Sequence, residues 1–224
     1  MREIRASERF ELIVFDWDGT IMDSIGTIVA CARRSAEDLG YEAPPEPQVR
    51  DLVGLRLDTI ARELFGPRGE AGQLRWIERY SHHWIHTFHR DLRPLPGALE
   101  TVEHLERHEC LLAVATGKSR RGLDRDLHTT GLGPRFSATR TVDESPAKPS
   151  PQMLLELMQE LGARPERTLM VGDTSHDVQM ARNANVPGLG VLTGSHHRDQ
   201  LIEAGATACI SSVAELPAWL EEAS

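Results

Sequence analysis

The sequence predicts an α/β fold, a Rossmann-like parallel sheet core interrupted by an inserted all-helical cap. Three observations predict it. Short runs that are apolar on both faces recur at 10–15, 110–115, 168–171, 188–192 and 207–210, as buried parallel strands require. Amphipathic helical stretches separate the later runs. From 22 to 92 only helical periodicity is found. The expected division is a core of 1–21 and 93–224 and a cap of 22–92.

The elements follow in order. The first run, 10–15, is rich in strand formers and ends on Asp16. In the insert, Ile25, Ile28, Val29, Ala32, Ala36 and Leu39 keep helical spacing, and Gly40 can terminate that helix. Pro44, Pro45 and Pro47 mark a turn. Leu57, Ile60, Ala61, Leu64 and Phe65 form a second stripe, closed by Gly66 and Pro67, and Ile77, Tyr80, Trp84 and Phe88 a third. Pro94, Pro96 and Gly97 punctuate the return to the core. There, Val102 with Leu105, then Met153, Leu154, Leu157, Met158 and Leu161, then Val178 with Ala181, give helices between strands. Gly188, Gly190 and Gly194 have the wrong spacing for a dinucleotide fingerprint and are read as close strand packing followed by a turn.

Composition narrows the function. The chain has 224 residues and a formal net charge of −9, so a phosphate backbone would be repelled by most of its surface and nucleic acid is not the expected partner. Cys31, Cys110 and Cys209 are far apart and odd in number, which argues for a reducing, cytoplasmic setting rather than a disulfide framework. The polar segment 1–11 is no secretory leader, and no apolar run approaches the ~20 residues of a membrane helix. Lysine occurs only at Lys118 and Lys148, with arginine supplying every other basic side chain.

The chemistry sits where strands end. Asp16 and Asp18, at i and i+2 past the first strand, can converge on one site, with Gly19 turning the chain and Thr20 following. Paired carboxylates attract a hard divalent cation, and a carboxylate can be a nucleophile that forms an acyl phosphate. Thr116 and Gly117 end the second run, where a hydroxyl and backbone amides can hold a phosphate oxygen. Lys148 lies between Pro146 and Pro149, where a fixed ammonium would neutralise transition-state charge. Gly172 and Asp173 end the run at 168–171, and Asp177 falls in the first turn of a helix, able to orient Lys148 or a metal-bound water. Each feature has an ordinary structural reading: a turn, a helix cap, a loop lysine, acids favoured by a helix dipole. Together they assemble at one sheet edge the parts phosphoryl transfer requires.

The set Asp16-x-Asp18-Gly19-Thr20, Thr116, Lys148 and Gly172-Asp173-x-x-x-Asp177 resembles the four motifs of the haloacid dehalogenase superfamily, closest to its phosphoglycolate phosphatase-like branch. The resemblance spans essentially the whole chain. It implies a phosphatase in which Asp16 attacks phosphorus and Asp18 protonates the leaving oxygen and then activates water. It implies Mg2+ on the carboxylates of Asp16 and Asp173 and the backbone carbonyl of Asp18, supported by Asp177. Thr116 and Lys148 would bind the transferring group. Trp17 replaces a more usual leucine and is expected to point away from the acids. Gly117 stands where many relatives have asparagine, which loses a possible substrate hydrogen bond and leaves the identity of the substrate more open.

Asp18 disfavours carbon–halogen and carbon–phosphorus cleavage, whose enzymes lack a second aspartate there. The absence of lysine from 22–92 excludes a Schiff base in the cap. Sugar-phosphate mutases of the family use a cap cation, for which, by the same resemblance, Arg56 is the best placed, as a substrate-binding residue. A signalling receiver or a non-catalytic binder has no need of Asp18 or of the helical insert. His82, His86 and His89 share a helical face, but no cysteine or carboxylate completes an obvious zinc site. The expected substrate is a small phosphomonoester of the phosphoglycolate type, and the expected assembly a monomer or homodimer.

Overall fold

The structure is a computed structural model that describes residues 9–88 and 92–222. Six parallel strands form one sheet: β1 (Leu12–Phe15), β2 (Leu111–Thr116), β3 (Ala138–Thr141), β4 (Thr168–Gly172), β5 (Gly188–Val191) and β6 (Ala208–Ile210). Their spatial order is β3-β2-β1-β4-β5-β6. The order reverses between β1 and β4, the switch point at which open parallel sheets bind ligands. Phe15 is level with Val114 of β2 and Val171 of β4. The residues just past β1 and β4 and the end of β2 therefore emerge side by side.

Helices cover both faces, as the alternating pattern predicts. Phe15, Leu105, Leu112, Val114, Leu169, Val191 and their neighbours pack on one side, and Leu12, Val14, Leu154, Leu157 and Met170 on the other. The five apolar runs all become strands. β3 has no counterpart among them. It reads Ala-Thr-Arg-Thr at the sheet edge, with its two central side chains half-exposed, so it lacks the continuous apolar signature of a buried strand.

The insert is helical throughout: α1 (Ile25–Asp38), α2 (Glu46–Arg50), α3 (Leu57–Phe65), a 3-10 turn (Gly66–Arg68), α4 (Gly69–His83) and a π turn (Trp84–Phe88). It has its own apolar centre of Val29, Ala32, Ala36, Val49, Ala61, Phe65 and Trp76. The proline cluster at 44–47 starts the short α2, whose N-cap is Pro45, rather than forming a turn alone. The chain returns to the core through bridges of Met22 with Asp18 and with Pro94. The core then adds α5 (Ala98–Arg107), α6 (Arg120–Thr130), α7 (Gln152–Leu161), α8 (Ser175–Asn183), α9 (Arg198–Ala204) and α10 (Leu216–Glu222).

Among the described residues no helix is long and apolar enough to cross a membrane. The three cysteines are unpaired. His82 and His86 have ring centroids 4.7 Å apart, but the described residues offer only one group of three or more metal-ligating side chains, and it is elsewhere. His89 lies outside the described residues.

Candidate active site

Asp16 is the first residue beyond β1, and its amide donates to the carbonyl of Val171 at 2.9 Å. The ladder thus continues one residue past the strand and fixes where the carboxylate points. Asp16, Asp173 and Asp177 are all buried, and ligating oxygens from the three lie within 4.8 Å of one another. Lys148 Nζ sits in the cluster, 2.7 Å from Asp16 Oδ1 and 2.6 Å from Asp177 Oδ1.

With every group ionised, three carboxylates and one ammonium would leave the cluster two negative charges in excess. The titration behaviour reflects this. Burial pushes the Asp16 carboxyl up to about 7 against the pull of Lys148, with Asp177 adding to the rise. Burial also raises Asp173 well above the usual carboxylate range, and the charges of Asp16 and Asp177 raise it further. Burial disfavours the Lys148 ammonium, but Asp16 and Asp177 outweigh it and hold Lys148 above the ordinary lysine range. Asp16 Oδ1 and Asp177 Oδ1 have only the Lys148 ammonium for company, and Asp16 Oδ2 is buried with no partner. An unpaired carboxylate oxygen in a buried pocket of three hard oxygen ligands and one ammonium suits a divalent cation such as Mg2+.

The remaining contacts aim these acids. Asp173 Oδ1 accepts from Thr20 Oγ1 at 3.1 Å and Oδ2 from the Ser195 amide at 2.8 Å. Gly194, beside Ser195, lies so close to the Asp173 carboxyl that a side chain would not fit. Asp177 Oδ2 accepts from the amide and hydroxyl of Thr174 at 3.0 and 2.7 Å, and the Asp177 amide donates back to Thr174 Oγ1. This is a capping box at the start of α8. Asp177 therefore caps the helix with one oxygen and faces Lys148 with the other. Gly172 ends β4 against the Asp177 side chain, with no space for a Cβ. Gly19 turns the chain at φ +80, a region that favours glycine, and a Cβ there would lie 2.6 Å from Asp173 Oδ2.

Asp18 has different company. Its Oδ1 accepts from Ser24 Oγ at 2.7 Å, and Lys118 Nζ lies 2.9 and 3.0 Å from its two oxygens. Lys118 also reaches Asp126 Oδ2 at 3.3 Å and stands over the Trp84 ring of the π turn, 4.6 Å from its centroid. Burial alone would lower Lys118, but Asp18 and Asp126 outweigh it and raise it. Trp17 points into the core, edge-on to Phe136, and its Nε1 donates to the same Asp126 oxygen at 3.0 Å. Trp17 thus leads away from the acids yet connects to Asp18 through Asp126 and Lys118. Lysine scarcity marks Lys118 in the sequence. Nothing local marks Asp126, Ser24 or Ser195.

Asp16, Asp18, Thr116, Gly117 and Arg56 all line one cavity of about 410 Å³ between the insert and the sheet edge. Thr116 is buried at the end of β2. Arg56 is already engaged: its guanidinium donates to the Val142 carbonyl at 2.7 Å and pairs with Asp58 at 3.2 Å. It ties the insert to a core loop. Gly117 meets the insert directly. The Gly54 carbonyl of the insert packs onto it, and a Cβ at 117 would overlap that carbonyl. The missing side chain admits cap backbone rather than substrate. Gly188 and Gly190 do serve close packing, against Ala181 and against Leu201 and Cys209.

A family model described as haloacid dehalogenase-like hydrolase matches residues 13–191. Among similar proteins, the phosphoglycolate phosphatase of Vibrio cholerae is 31% identical over 87% of this chain and 89% of its own length. The pyrophosphatase PpaX of Oceanobacillus iheyensis is 30% identical over 85% and 91%. The crystal structure of a hydrolase from Pseudomonas syringae superposes with a TM-score of 0.84 at 24% identity, covering 94% of this chain and 97% of that one. With the matched fold and the buried aspartate cluster at its switch point, the chain belongs to the haloacid dehalogenase-like hydrolases, in their phosphoglycolate phosphatase-like branch, and is an enzyme of that family.

Proposed function

We propose that the protein is a magnesium-dependent phosphatase that hydrolyses a small phosphomonoester through an aspartyl phosphate on Asp16. The observation that carries this reading is the buried Asp16–Asp173–Asp177 cluster around a single ammonium, with Asp16 Oδ2 buried and unpaired. Mg2+ would be held by the carboxylates of Asp16 and Asp173 and the backbone carbonyl of Asp18, with Asp177 in support. When bound, it would keep Asp16 ionised and draw charge from the phosphoryl oxygens.

Asp16 attacks phosphorus, and the ester oxygen departs with a proton from Asp18. Asp18, now ionised, takes a proton from water. That water attacks phosphorus and the bond to Asp16 breaks. Thr116 and Lys148 hold the transferring oxygens, and Gly117 admits the cap against the site. Residues 22–92 act as the cap that excludes bulk water. The tie of Arg56 to Val142 and Asp58 favours hydrolysis over a mutase reaction, in which Arg56 would be needed for a second phosphate. The three unpaired cysteines support a cytoplasmic setting.

Phosphate release from a panel of small phosphoesters, with and without magnesium, tests the reading. Magnesium-dependent turnover that Asp16→Asn abolishes is expected. Folded, metal-binding protein inert on every ester would refute it.

A further inference from the structure

The cavity has two unlike walls. Asp16, Asp18, Thr116 and Gly117 form the polar floor. Above it the insert contributes Ile28, Ile60, Ile77, Tyr80, Trp84 and Ile85. All but Trp84 are only half-buried. Large apolar side chains left part-exposed on one concave wall are a surface awaiting an apolar occupant. The volume agrees. About 410 Å³ falls in the range of roughly 300–1,000 Å³ typical of pockets for drug-sized ligands, more than a phosphate with a two-carbon acid needs.

We infer that the leaving group of the substrate carries an apolar body of about aromatic-ring size, which the cap wall of the cavity receives while the phosphate lies on the floor. The inference rests on the phosphatase reading of this site and deepens it. The polar cations of the lining do not displace it. Lys118 is engaged by Asp18 and Asp126, and Arg56 by Val142 and Asp58. Arg121 and Arg125, one turn apart on α6, also line the cavity, so a compact anionic leaving group is the rival occupant.

A series of alkyl phosphates with similar leaving alcohols separates these occupants from each other and from the chemistry. Initial rates with magnesium would be measured on ethyl, hexyl and 2-phenylethyl phosphate and on phosphoglycolate. The expected result is a kcat/KM at least about tenfold higher for 2-phenylethyl than for ethyl phosphate, carried by KM, with phosphoglycolate below both bulky esters. Ile77→Ala should narrow that ratio. A flat series, or phosphoglycolate ahead of the bulky esters, overturns the inference while leaving the phosphatase standing. No turnover of any ester removes both.

Discussion

Lys148 Nζ lies 2.7 Å from Asp16 Oδ1, and neither side chain reaches solvent. The same ammonium is 2.6 Å from Asp177, so one cation serves a cluster of three acids. Removing one partner of a buried pair costs about 3–5 kcal/mol because the other charge is stranded. Lys148→Met should therefore lower the stability of the metal-free protein by about that much at pH 8. The Lys148 contribution is constant over this range: its folded-state value is raised, so the stabilisation is complete below the unfolded lysine value. The stranded carboxylates can escape by taking up protons, so the loss should be smaller at pH 5. Urea denaturation at the two pH values measures it.

Magnesium binding should depend on pH through the same acids. Burial holds Asp16 near 7 in the folded, metal-free chain, whereas unfolded aspartate titrates near ~3.9. Between those values the folded state binds a proton that the unfolded state has released. Metal-free stability should thus fall as pH rises from about 4 through about 7, and the raised value of Asp173 acts in the same direction. Mg2+ must displace those protons. Its affinity, and the melting-temperature gain it gives, should rise over pH 6 to 8. Titration calorimetry in buffers of different ionisation enthalpy would show proton release, and pH-independent binding without release would contradict the burial argument.

Gly117 should be intolerant of a side chain for a reason outside the chemistry. Overpacking costs about 1–3 kcal/mol, and here the obstructing group is the Gly54 backbone, which cannot rotate aside. Gly117→Ala should push the cap segment away, lower kcat/KM about tenfold, and accelerate hydrogen exchange around residues 53–56 with little change in the sheet. Unchanged exchange and activity would show that the contact does not matter for turnover.

Much of this protein is legible in its sequence, and the exceptions share a physical cause. Strands buried on both faces announce themselves, as at 168–171. β3 does not, because an edge strand with Arg140 half-exposed has no continuous apolar run. The acids past β1 and β4 are visible because strand ends at a switch point are where ligands bind. Their partners are not: Lys118 reaches Asp18 across 100 residues and Trp17 reaches Asp126 across 109, and no local pattern encodes such contacts. Gly117 was legible only as a departure from asparagine. That the freed space belongs to the cap's Gly54 is a property of tertiary packing.

The most direct measurement is chemical trapping of the covalent intermediate. Wild-type protein turning over a phosphoester with magnesium would be acid-quenched, reduced with borohydride and mapped by mass spectrometry. The expected result is homoserine at position 16, the reduction product of an aspartyl phosphate. Rapid phosphate release with Asp16 unmodified, or with the label on another residue, would contradict the central role of Asp16.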